Sequence, residues 1–118
     1  MRVLVAGGGT AGHVFPAIAL AHELASAGHE VRFAGTSAGQ EGRLVRDAGF
    51  ELAIVEARPL ERAFSLRALA APLAAVRSVK ACRPLVEAAE IVVGMGGYVS
   101  VPVVLAALRS RRPVVLHE

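Results

Sequence analysis

Five short apolar runs, each bounded by glycine, proline or charge, constrain this chain more than any other feature. They are RVLVA (2–6), EVRFAG (30–35), FELAIVE (50–56), EIVVG (90–94) and PVVLHE (113–118). They lack the sustained apolar/polar alternation of a strand with one wet face, so they predict strands buried on both faces. Helical patterns fill the gaps. Pro16 suits the first turn of a helix running to about Ala27, with Gly28 as its stop and Ile18, Leu20, Ala21, Leu24 and Ala25 at roughly helical spacing. Residues 39–48 predict a helix with Leu44 and Val45 inward, ended by Gly49. Residues 57–64 read as a loop. Residues 65–83 predict a long helix with Leu66, Leu69, Leu73 and Val76 on one inward stripe. Pro72 is expected to kink or split it. Residues 99–110 predict a last helix with Pro102 in its first turn.

Strands alternating with helices imply one α/β domain over residues 1–118, a parallel sheet covered on both faces. Right-handed crossovers make it a doubly wound, Rossmann-like sheet of five strands in the order 3-2-1-4-5. A chain of 118 residues is long enough for one such core.

In sheets of this kind ligands bind at the carboxyl ends of the strands, at the switch point between strands 1 and 4. Two glycine loops fall there, GGGTAG (7–12) and GMGG (94–97). The chain also stops at that edge, on His117 and Glu118, which predicts a domain cut at its own binding edge. Gly7, Gly9 and Gly12 spell G-x-G-x-x-G, but a dinucleotide fingerprint also wants an acid at the end of strand 2. Strand 2 ends Ala34-Gly35-Thr36, and Glu30 stands at its other end. A P-loop is excluded because no Gly-Lys-Ser/Thr follows. What remains is general: glycines let backbone approach a ligand, and a helix N-terminus offers free N–H groups to an anion. Thr10 adds a hydroxyl, and His13 an imidazole, the side chain that changes protonation nearest neutral pH. Two such loops side by side can cradle a diphosphate.

Charge is unevenly spread. Residues 1–57 hold four Arg against six acids, whereas residues 58–112 hold nine Arg or Lys against three. A basic second half suits an anionic partner or a solvated face. Without interleaved aromatics it does not predict nucleic-acid binding. No apolar run reaches transmembrane length, and the N-terminus has no signal-peptide pattern. The single cysteine, Cys82, fits a reducing compartment and a buried helical position.

Three segments together, GGGTAGHVFPAIALAHEL (7–24), VVGMGGYVSVPVVLAA (92–107) and PVVLHE (113–118), resemble the N-terminal domain of the MurG family of bacterial peptidoglycan glycosyltransferases. The resemblance runs the whole length of the chain. It implies one half of a two-domain GT-B fold, whose donor-binding C-terminal domain is absent here. It also implies an inverting hexosyltransferase that moves N-acetylglucosamine from UDP-GlcNAc to the muramyl C4 hydroxyl of lipid I, forming lipid II. The family's HEQN motif is present only as HE, so the isolated chain is not expected to be active.

The resemblance implies no metal and no cofactor, and a peripheral place on the cytoplasmic face of the bacterial membrane. It assigns Gly8, Gly9, Thr10, Gly12, Gly96, Gly97, Tyr98 and Ser100 to the acceptor and its diphosphate. His13 becomes the candidate catalytic base or an orienting group. Several of these residues also have plain structural readings. Thr10 can cap the first helix, Tyr98 can pack, and Ser100 is expected to cap the last helix. Glu118 would face the cleft or simply be a chain end. His22 and His29 read as surface residues, and His117 as strand packing. Phe64, Leu66, Arg67 and Lys80 belong to an apolar and basic stretch that can lie on an anionic bilayer. Two rivals stay open: a non-catalytic acceptor-binding or membrane-docking subunit of a split glycosyltransferase, and an NAD-binding fragment.

Overall fold

A computed structural model of the chain describes residues 1–8, 11–36, 41–55 and 66–117, with the side chains of residue 11 and residues 66–75 outside the description. Gly9, Thr10, Phe64 and Glu118, and the expected loop at 57–64, lie outside the described residues. The elements run β1 (Arg2–Ala6), α1 (Ala11–Ser26), β2 (Glu30–Gly35), α2 (Glu41–Asp47), β3 (Glu51–Ile54), α3 (Leu66–Glu87), β4 (Ile91–Gly94), α4 (Ser100–Arg109) and β5 (Val114–Leu116). The strands form one parallel sheet in the order β3-β2-β1-β4-β5, as the crossover rule predicts.

Successive strand residues point to opposite faces, and each face has its own core. Leu4, Ala6, Ala34 and Val92 pack against Cys82 and Val86 of α3 and Val103, Ala106 and Ala107 of α4. Val3, Val5, Phe33 and Val93 pack against Val14, Ala17 and Ala21 of α1 and Val45 of α2. A strand that feeds both cores has no room for a polar position, which is why these runs do not alternate. Each fully buried Val, Leu or Phe contributes roughly 1.5–3 kcal/mol of transfer free energy. Cys82 is buried in α3, and burial pushes its thiol up to about 11. It stays protonated and inert at neutral pH.

Three helical expectations need correction. α1 begins at Ala11, which leaves Pro16 inside the helix rather than in its first turn. α3 is one helix from Leu66 to Glu87, not split at Pro72 and not ended before Pro84. A proline removes one i→i−4 bond, and packing against a neighbouring helix can outweigh that loss. Val76 does not belong to an inward stripe, because it is 46% exposed. Periodicity gives the residues that share a face; it does not say which face meets the core.

Candidate active site

The sheet register assembles the site. Ala6 pairs with Ala34 on one side and Gly94 on the other, and Gly94 pairs with Leu116. The residues after β1, β2, β4 and β5 therefore leave the sheet at one level. Main-chain bonds tie the edge together: the Met95 N–H donates to the Ala6 carbonyl and the His117 N–H to the Gly94 carbonyl, both at 2.8 Å.

The two glycine loops meet backbone to backbone. A Cβ on Gly7 would come within 2.9 Å of the Met95 Cβ, and a Cβ on Gly97 would land on the Gly8 carbonyl oxygen. Gly97 and Gly96 have φ of 81° and 92°, a region that side chains rarely adopt. Any residue larger than glycine at these places would push the loops apart.

His13, the third residue of α1, is half-buried with its ring over the second loop. Its Cδ2 and Nε2 lie 3.0 and 3.2 Å from where a Gly96 Cβ would stand, and its Nδ1 3.5 Å from that of Gly97. The structure thus brings together Gly8, Gly96, Gly97 and His13 of the expected set. Gly12 is exposed in the first turn of α1, which carries no acidic residue to oppose an anion. Tyr98 is half-buried beside the second loop.

Ser100 is not the cap it was expected to be. The N-cap position of α4 is Val99, with no side-chain cap bond. Ser100 stands one residue inside the helix and is buried, so its hydroxyl reaches back and donates to the Gly97 carbonyl at 2.9 Å. It braces the second glycine turn. His117 corrects another expectation: its side chain is exposed, and only its main chain joins the edge. His22 is exposed, with its ring edge-on to Phe50, and His29 accepts a bond from the N-terminal ammonium at the opposite end of the sheet.

Lys80 is exposed on α3, while Leu66 and Arg67 fall in the first turn of α3 with their side chains outside the description. Beside Lys80 lies a shallow groove between α3 and α4, lined by Val76, Val79, Leu105, Leu108 and Arg109. Among the described residues no helix is long and apolar enough to cross a membrane.

Sequence reasoning missed Glu41. It searched for an acid at the end of β2 among residues 34–36 and found none, yet Glu41 reaches that place in space. Its Oε1 accepts the Thr36 hydroxyl at 2.5 Å and the Thr36 N–H at 3.4 Å. A carboxylate in the first turn of the helix that follows β2 was the available signal, since such a side chain can turn back toward the strand end. Glu41 is only 2% exposed and engaged with Thr36, so it is not presented to a ribose as a dinucleotide acid would be.

The family model for the glycosyltransferase family 28 N-terminal domain matches residues 3–118. The chain belongs to that family. It is 44% identical over 118 residues to the "UDP-N-acetylglucosamine--N-acetylmuramyl-(pentapeptide) pyrophosphoryl-undecaprenol N-acetylglucosamine transferase" of Acidithiobacillus ferrooxidans, an alignment covering 98% of this chain and 33% of that protein. The chain thus spans a third of the length of the curated relatives it matches. The crystal structure of Acinetobacter baumannii MurG superposes with a TM-score of 0.85 at 33% identity, over 99% of this chain and 35% of that one. A saccharopine dehydrogenase from Saccharomyces cerevisiae superposes with a TM-score of 0.61 at 19% identity, over 98% and 21%. That second likeness is one of fold alone. Within family 28, the observed five-strand sheet, in the order 3-2-1-4-5, is that of the GT-B N-terminal half that the family resemblance implied.

Proposed function

We propose that this domain binds the lipid diphosphate acceptor of an inverting hexosyltransferase. That enzyme would move N-acetylglucosamine from UDP-GlcNAc to the muramyl C4 hydroxyl of lipid I and form lipid II. One observation carries the proposal: two glycine loops pressed together at the β1/β4 switch point, with the His13 ring lying over the second. Bare backbone lets a diphosphate approach closely, and the N-terminus of α1 adds a partial positive charge. Gly8, Gly9, Thr10, Gly12, Gly96, Gly97, Tyr98 and Ser100 form the acceptor side, and Glu118 belongs at the mouth of the cleft. Most donor contacts come from outside these residues, so the isolated chain binds acceptor without turning it over.

In the reaction the C4 hydroxyl oxygen attacks C1 of the sugar from the face opposite the leaving group. The bond from C1 to the UDP oxygen breaks, UDP departs with the electron pair, and C1 is inverted. The hydroxyl proton passes to a base; in this reading His13 accepts it or orients the hydroxyl, supported by its ring lying over the second glycine loop. In the complete gene product, His13→Ala is expected to lower kcat by about 100-fold with acceptor KM little changed. Transfer of labelled GlcNAc to a soluble lipid I analogue measures this. Unchanged turnover would remove His13 from the chemistry.

The lipid acceptor also requires a membrane surface, here the anionic cytoplasmic leaflet, with the protein bound peripherally. Val76, Leu105 and Leu108 are 46%, 46% and 60% exposed, and Arg77, Lys80 and Arg109 flank them on α3 and α4. An apolar patch with a basic rim suits an anionic bilayer. On the sequence pattern alone, Phe64, Leu66 and Arg67 are assigned to the same membrane contact. Flotation with anionic vesicles at low salt should recover the protein, and Leu108→Glu with Lys80→Glu should abolish recovery. Equal recovery of the variant would contradict this contact.

A further inference from the structure

Glu41 opens the seven-residue α2 on the far side of the first glycine loop, and nothing in the proposed chemistry uses it. Burying a carboxylate is costly unless its oxygens are bonded. Here Oε1 takes both the hydroxyl and the N–H of Thr36. The same group fills the space beside Gly8: its carboxyl carbon and Oε1 stand 3.1 Å, and its Cγ 3.3 Å, from where a Gly8 Cβ would be. Its Cγ also lies 3.4 Å from the corresponding point on Gly35, the last residue of β2. Beyond Gly8, the carbonyl oxygen of that residue blocks the place of a Gly97 Cβ. Gly8 is therefore clamped, with the Glu41 side chain against one side and the second glycine loop against the other.

We infer that Glu41 is a positioning residue, a wedge whose length sets how far the first glycine loop stands from β2. It thereby fixes where Gly8 stands against Gly97. The inference rests on the acceptor reading above, because these two loops together are what the diphosphate would meet. Close-packed interiors pass small displacements on to their neighbours. Glu41→Gln keeps the length and an oxygen for the Thr36 hydroxyl. Glu41→Asp keeps the charge but is one methylene short, so either Thr36 or Gly8 loses its contact.

The test compares amide spectra of the wild-type chain, Glu41→Gln and Glu41→Asp, first without ligand and then titrated with a soluble short-chain lipid I analogue. Thermal melts confirm that each variant is folded. Should Glu41→Asp fail to fold, Thr36→Val, which removes the hydroxyl holding the carboxylate, takes its place. Without ligand, Glu41→Asp is expected to shift the amides of Gly97 and His13, across the loop from the substitution. Glu41→Gln should shift only those beside residue 41. Analogue affinity should fall about tenfold in Glu41→Asp and stay close to wild type in Glu41→Gln. Unmoved Gly97 and His13 amides in Glu41→Asp, or wild-type affinity in that variant, would overturn the inference. A wild-type chain that does not bind the analogue would overturn the acceptor reading instead, and the ligand-free spectra would still decide the wedge.

Discussion

The two ends of this sheet are built to opposite designs. At the amino end, charge meets charge and donor meets acceptor. The Arg2 N–H donates to Glu90 Oε2 at 2.6 Å, and Arg2 Nε to the Ala88 carbonyl at 2.8 Å. Arg32 and Glu51 approach to 3.6 Å, and the N-terminal ammonium donates to His29 Nδ1 at 3.0 Å. At the carboxyl end the same strands run out into glycines that touch through bare backbone, with His13, Ser100 and the Thr36-bonded Glu41 as the supporting side chains. The amino end closes on itself with side chains. The carboxyl end gives up side chains at its glycine loops, and the stability they would bring, and leaves bare backbone there. In a doubly wound sheet the register makes this division possible, since all five strands present the same end to the same edge.

Substitutions at the two ends should therefore behave differently. The largest effect is expected from Gly97→Ala. It combines a positive φ with a Cβ on the Gly8 carbonyl, and should cost roughly 2–3 kcal/mol of stability. It should also weaken binding of the acceptor analogue by about 100-fold, because the cradle is misplaced. Urea denaturation and calorimetric titration of the same samples measure both. Ser100→Ala comes next. It removes the shorter of the two bonds that the Gly97 carbonyl accepts from Ser100 and leaves the backbone N–H at 3.3 Å, so a loss of about 0.5–1.5 kcal/mol follows, with analogue affinity lowered about tenfold. If Ser100→Ala changed stability but not affinity, the brace would be structural only, and the contrast between the two ends would weaken.

The smallest effect belongs to the amino end. The hydrogen bond from the Arg2 backbone N–H holds the Glu90 carboxyl below the usual glutamate range, helped by the Arg2 and N-terminal charges. A depressed folded value means a contribution present above the ordinary glutamate pKa and lost as pH falls through the folded one. Glu90→Gln should thus flatten the loss of stability on acidification below the ordinary glutamate pKa of about 4.3 and leave acceptor binding at neutral pH unchanged. Melting curves from pH 3 to pH 7 read the first, and the calorimetric titration reads the second.

Most of the carboxyl end was legible in the sequence, because glycines after β1 and β4 mark both the strand ends and the demand for close backbone. The sheet order followed from non-alternating strands and crossover handedness. The helices were less legible. Pro72 suggested a break that α3 does not take, since one lost hydrogen bond is small beside the rest of a 22-residue helix. Val76 and Ser100 were misplaced for a shared reason: spacing fixes a residue's angle around a helix, whereas the neighbour that helix meets decides burial and bonding. The approach of Glu41 to Thr36 had a signal in its place in the first turn after β2, but its contact with Gly8 had none, because only the folded corner brings those two together.

The central claim is that the paired glycine loops bind an acceptor diphosphate and not a dinucleotide. An amide chemical-shift titration of the chain with a soluble short-chain lipid I analogue, then UDP-GlcNAc, then NADH, tests it most directly. Shifts confined to residues 7–13 and 94–100 with the analogue alone are the predicted result. Shifts at residues 7–12 with NADH, and none with the analogue, would contradict the account.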